Sequence, residues 1–177
     1  RFVDANINVY GVDNDKKKVT SLKKGISYIK NKNLRDFKYF KHKKNQVSSD
    51  YKILKNCDAI LICLPTPLKN LKPDMSYVFK CASKIRKIIK PFQILILEST
   101  VYPGATYEVL KMVKNKKLQI GKNFFVGYSP ERENPGDEKF SYKKTPKVIS
   151  GATKTCELLI KKIYSPIVKK LVIAKNI

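Results

Sequence analysis

Four short stretches of this sequence hold side chains able to do chemistry, and each directly follows an apolar run. Asp13 follows residues 6–12 (NINVYGV), and Thr66 stands between Pro65 and Pro67 after residues 58–64 (DAILICL). Glu98, Ser99 and Thr100 close residues 93–98 (QILILE), and Glu131 and Arg132 sit in the loop 129–136 after Phe124-Phe125-Val126-Gly127. A carboxylate so placed can orient a water or take a proton. A hydroxyl there can hold a water or a substrate oxygen. Prolines on both sides of Thr66 fix the backbone and offer no N–H, so a ligand can approach closely. Each stretch also has an ordinary reading, and residue type alone leaves both open. Asp13 could cap a helix ahead of Lys16-Lys17-Lys18, Thr66 could be a tight turn, and Glu131-Arg132-Glu133 could be a surface salt bridge. Metal chemistry lacks a ligand set: Cys57, Cys63, Cys81 and Cys156 form no CxxC pair, and His42 has no partner at zinc spacing.

The elements that must hold these residues alternate. Strands are expected at 6–12, 58–64, 93–98, 124–127, 147–149 and 167–173, with a brief one around Val47. Helices are expected at 15–24, 33–41, 75–89, 105–114 and 153–164. In the helix expected at 75–89, Val78, Cys81, Ala82, Ile85 and Ile89 share one face. The uninterrupted apolar character of 58–64 suggests a strand buried on both faces. Strand–helix alternation predicts an α/β fold with a doubly wound parallel sheet, as one domain over 1–177. Ligands of such sheets bind beyond the carboxyl ends of the strands. The four stretches should therefore share one rim, with residues 13, 66, 100 and 131 converging on it. Asp13 would end the second strand, where an acidic side chain accepts hydrogen bonds from adenosine ribose hydroxyls and favours NAD over NADP. No G-x-G-x-x-G loop precedes it. The expectation is a Rossmann-like fragment cut at both ends, without its first strand and incomplete as an enzyme.

Composition narrows the alternatives. With 177 residues, 42% of them hydrophobic, the chain can bury a core. The net charge of +24 raises a second reading, a basic α/β module that binds nucleic acid. Against it, the cations are mostly lysine, spread over every expected helix rather than gathered on one. No apolar run approaches the ~20 residues of a bilayer span, and from the start RFVDA, which lacks a basic head and an apolar stretch, no secretion signal is expected. The cysteines are expected to be reduced and mostly buried in a cytoplasmic protein, with Cys156 packed inside its helix.

Five motifs in order give these stretches a context. VYGVDNDKKKVTSLKKGISYI, CDAILICLPTP with PDMSYV, ILESTVYPGAT, YSPERENPG and PKVISG resemble the UDP-glucose/GDP-mannose dehydrogenase family over nearly the whole chain. ESTVYPGAT and SPERENPG are more similar to the branch acting on UDP-N-acetylhexosamines. The resemblance implies oxidation of a sugar C6 alcohol to a carboxylate by NAD, feeding surface polysaccharide synthesis, through a cysteine thioester that water hydrolyses. It implies that Asp13 and Lys18 meet the adenosine ribose. Ile62, Cys63, Leu64, Pro65, Thr66 and Ser99 would line the cofactor, with Thr100 at the cofactor and at the catalytic water. Glu131 would work with that water, and Glu131, Arg132, Glu133 and Asn134 would touch the UDP-sugar. It implies a homodimer or larger assembly; from the residues, no metal and no membrane are expected, and nucleic acid stays the second reading. Pro135 stands where the UDP-glucose branch has a second glutamate, and the family's catalytic cysteine would lie beyond Ile177.

Overall fold

The computed structural model describes residues 1–26, 45–131 and 145–177. The helix expected at 33–41 and residues 132–136 of the loop lie outside them. The chain divides into two compact units, Arg1–Cys57 and Asp58–Ile177.

In the first unit, strand β1 (Tyr10–Val12) pairs in parallel with β2 (Gln46–Ser48), Gly11 opposite Val47. β1 is shorter than the apolar run suggests because the chain turns through residues 2–6, where Asn6 takes φ 64°. Helix α1 (Lys16–Lys23) starts at Asp15, whose carboxylate accepts from Lys17 N (2.8 Å) and Lys18 N (3.4 Å). The cap is thus Asp15, and Asp13 is released from that ordinary reading. Val19 and Leu22, one turn apart, close a small core with Val47. Gly25 ends the helix at φ 72°, its N–H on Leu22 O. A 3-10 helix at Tyr51–Asn56, capped by Asp50, was not expected from the sequence.

In the second unit, β3 (Ala59–Ile62) leads into a small antiparallel hairpin, β4 (Leu68–Lys69) with β5 (Lys72–Pro73). Helix α2 (Ser76–Arg86), β6 (Gln93–Leu97), helix α3 (Ala105–Val113) and β7 (Phe124–Tyr128) follow. Then come β8 (Lys147–Gly151), helix α4 (Lys154–Tyr164) and β9 (Leu171–Ile173). The five-stranded sheet runs β3-β6-β7-β8-β9. All five residues of β6 are buried, so both faces of the sheet are covered there. Helices α2 and α3 pack on each other, and α4 lies across β7 and β8. The sheet is mostly parallel rather than wholly so: β8 runs against β7, through Gly127↔Gly151 and Tyr128↔Ser150. A parallel step needs a crossover, usually helical, and the 129–146 sequence, with Pro130, Pro135, Gly136 and Pro146, has no helical periodicity.

All four cysteines are free. Cys81 and Cys156 are buried and Cys57 is half-buried; Cys63 departs from expectation in being exposed. Among the described residues no helix is long and apolar enough to cross a membrane.

Candidate functional site

The rim of the second unit is built where β3, β6 and β7 end. Glu98 N–H continues the β3–β6 ladder onto Ile62 O (2.9 Å). Ser99, 5% exposed, accepts from Leu64 N (3.0 Å) and reaches Ile62 O (3.4 Å), stapling the segment after β3 to the segment after β6. Thr66 Oγ1 then donates to Thr100 O at 2.6 Å. On the other side Ser129 N donates to Leu97 O (3.0 Å) and Glu131 N to Glu98 O (3.1 Å). Ser129 Oγ is anchored on Val148 O (2.8 Å). Thr66, Thr100 and Glu131 are thereby tied to one strand end, and Thr100 and Glu131 are exposed.

Not every expected lining residue faces outward. Ile62 is 2% exposed and its carbonyl already accepts from Glu98, so it belongs to the core. The Ser99 hydroxyl is engaged within the protein, and so is the Leu64 N–H; Ser99 shapes the rim rather than lining it. Cys63 and Pro65 are exposed, and Thr66 is half-buried. Arg132, Glu133 and Asn134 lie outside the described residues.

Beneath this rim is a polar cluster that the sequence reading missed. Lys147 Nζ lies 3.1 Å from Glu98 Oε1, and the Tyr164 hydroxyl donates to the same oxygen. The Cys63 thiol donates to Glu98 Oε2 (3.2 Å). Lys147 is 3% exposed and Tyr164 0%, and the ammonium sits 5.2 Å from the centre of the Tyr164 ring. Crowding by protein pushes the Cys63 thiol up, and the Glu98 carboxylate adds to this by charge and by its hydrogen bond. Cys63 therefore stays protonated at neutral pH and is a poor nucleophile. Cys156 is packed as expected, fully buried with its sulfur 3.4 Å from Val126 N. Two signals could have exposed the cluster. Lys147 is the one charged residue of the strand KVISG, and Tyr164 continues the buried stripe of Cys156 and Ile160 at four-residue spacing.

In the first unit, Asp13 Oδ1 accepts from Asp15 N (2.8 Å), and Oδ2 lies 3.7 Å from Lys18 Nζ. The two side chains are 37% and 42% exposed. A pair this exposed adds little stability, but it leaves a solvent-facing carboxylate just beyond a strand, with a cation beside it. That donor set fits a ribose diol. Among the described residues no three His, Cys, Asp or Glu side chains are grouped to hold a metal.

Comparison with known proteins gives these features a family. Residues 1–168 match the model of the UDP-glucose/GDP-mannose dehydrogenase family, NAD binding domain. The chain is 43% identical over 126 residues to Protein CapL of Staphylococcus aureus, covering 70% of this chain and 30% of that protein. It is 33% identical over 166 residues to the UDP-N-acetyl-D-glucosamine 6-dehydrogenase of Salmonella typhi, covering 90% and 38%. The solved structure of a UDP-D-ManNAc dehydrogenase from Pyrococcus horikoshii superimposes with a TM-score of 0.91 at 25% identity, covering 99% of this chain and 43% of that one. The chain thus spans 30–43% of the length of these relatives, within the part whose family model is the NAD binding domain. With a Rossmann-like, mostly parallel sheet and a match over residues 1–168, this chain belongs to the UDP-glucose/GDP-mannose dehydrogenase family, as its NAD-binding domain.

Proposed function

We propose that the chain serves an NAD-dependent dehydrogenase that oxidises the C6 alcohol of a UDP-N-acetylhexosamine to the uronate. The observation that carries this reading is the laced strand end, where the Thr66–Thr100 and Glu131–Glu98 hydrogen bonds join a hydroxyl and a carboxylate on one rim. The relatives named for UDP-N-acetyl-D-glucosamine and UDP-D-ManNAc support the substrate class. NAD, when bound, accepts the hydride. On this reading Asp13 and Lys18 meet the adenosine ribose. Thr66 and the exposed edge at Cys63 and Pro65 border the cofactor, with Ser99 positioning that edge. Thr100 orients the water that completes the oxidation, Glu131 works on that water, and Arg132, Glu133 and Asn134 touch the sugar nucleotide. The enzyme would act in the cytoplasm as a homodimer or larger assembly. Beyond the net charge of +24, no observation favours the nucleic-acid reading.

The test is NADH release by the full-length protein supplied in turn with UDP-N-acetylhexosamines and UDP-glucose. Two NADH per N-acetylhexosamine are expected. Turnover of UDP-glucose alone overturns the branch, and no turnover of any UDP-sugar overturns the reading. Asp13→Ala should weaken NAD binding about 10- to 100-fold, the range set by losing charged hydrogen bonds of ~1.5–3 kcal/mol. Calorimetric titration checks this, and an unaltered Kd removes Asp13 from the cofactor site.

A further inference from the structure

We infer that Lys147 and Tyr164 are positioning residues, which fix the strand end presenting Thr100 and Glu131 by holding the carboxylate of Glu98. The claim about geometry stands on the structure alone; its kinetic consequence rests on the proposed dehydrogenase reading.

Glu98 is the hub of the rim. Its N–H is bonded to Ile62 O and its carbonyl accepts from Glu131 N. Ser99, which staples Leu64, and Thr100, whose carbonyl takes the Thr66 hydroxyl, follow it directly. The orientation of this residue therefore sets the spacing between the ends of β3, β6 and β7. Its side chain is locked from below. One oxygen takes Lys147 Nζ and the Tyr164 hydroxyl, and the other takes the Cys63 thiol. Both oxygens are engaged, so Glu98 is a strut and not a base for a ligand. Besides Cys63, the locking groups come from the first residue of β8, two strands along the sheet from β6, and from the last residue of α4, which packs on the sheet. Packing alone does not require them. Buried ion pairs lose hydration on folding, and apolar side chains of similar volume often stabilise equally well. What a carboxylate held from three sides adds is a fixed geometry. A displacement of about 1 Å at a reacting group is enough to cost ~10²-fold in rate.

The test is Tyr164→Phe in the full-length protein, which removes one hydroxyl and keeps the ring. Amide hydrogen exchange should show Glu131 N–H exchanging about 10-fold faster or more, while amides inside β6 keep their protection. Turnover with a UDP-N-acetylhexosamine should fall about 10- to 100-fold, with KM and NAD affinity within about threefold. Lys147→Met should give the same pattern more strongly; if it does not fold, Tyr164→Phe decides. Unchanged exchange at Glu131 in a folded Tyr164→Phe protein overturns the inference. So does acceleration spread evenly over the β6 core, which marks a merely structural role. Selective acceleration at Glu131 in a protein whose unaltered form turns over no UDP-sugar upholds the positioning role and defeats the dehydrogenase reading instead.

Discussion

Gly151→Ala is expected to destabilise the protein by about 3 kcal/mol or more, the upper end for forcing one carbon into a packed interior. A Cβ at this position would lie 2.2 Å from Glu157 N, 2.7 Å from Glu157 Cα and 2.8 Å from the carbonyl carbon of Cys156. All three atoms are backbone of α4, so no side chain can rotate aside. The helix itself must lift from β8, and its buried face of Cys156, Ile160 and Tyr164 would lose contact with the sheet. Gly127 faces the same helix but would meet the flexible tip of Ile160 at 1.8 Å as well as Ser150 O at 2.5 Å, so part of that clash can relax. Gly104, at φ 90° in open space, would bring backbone strain alone. The order of cost should be Gly151→Ala, then Gly127→Ala, then Gly104→Ala. At ~2–4 °C per kcal/mol for a chain of this size, the first should lower Tm by about 6–12 °C. A thermal scan showing a fall of only a degree or two would mean that α4 is not seated on β8 as described.

How far the sequence could be read follows from what each signal encodes. The buried runs at 58–64 and 93–98 became β3 and β6, and the apolar stripe at 75–89 became α2 and the turn after it, because burial periodicity is local. Strand direction is not local. A period of two says which face a residue takes and nothing of which way its neighbour runs, so the only sign of the antiparallel entry of β8 was the want of a helical pattern in the sequence before it. The hairpin at Leu68–Pro73 was missed because its strands are two residues each and its turn, Asn70-Leu71, places a leucine at φ 61°, where turn chemistry gives no warning. At the rim, chain order brought out Thr66, Thr100 and Glu131, since each lies three or four residues beyond the end of a strand. The side-chain partners of Glu98 did not stand out, because Cys63, Lys147 and Tyr164 lie far from it in sequence and meet it only when the sheet is assembled. Asp13 shows the converse. Its rival reading as a helix cap fell to another aspartate two residues on, a choice that local propensity leaves open.

In the proposed reaction, Glu131→Gln should lower kcat by about 10²–10⁴-fold, the usual share of a positioned acid or base, or ~3–5 kcal/mol of barrier. KM and Tm should change little. The amide keeps the size of the side chain, and the bond that holds the residue to the rim comes from its backbone N–H on Glu98 O, which the substitution leaves intact. The residue is exposed, so its change should stay within about 0.5 kcal/mol of stability. A loss confined to KM would make Glu131 a ground-state contact to the sugar, and an unchanged kcat would remove it from the water step. The comparison with Tyr164→Phe then separates two causes of a slow enzyme. Glu131→Gln removes a reacting group and should leave its own amide protected, whereas Tyr164→Phe keeps the group and loosens the strand end that aims it. If both variants lost rate with the Glu131 amide equally exposed to exchange, the rim would be failing as a structure, and neither residue could be assigned a part in the chemistry.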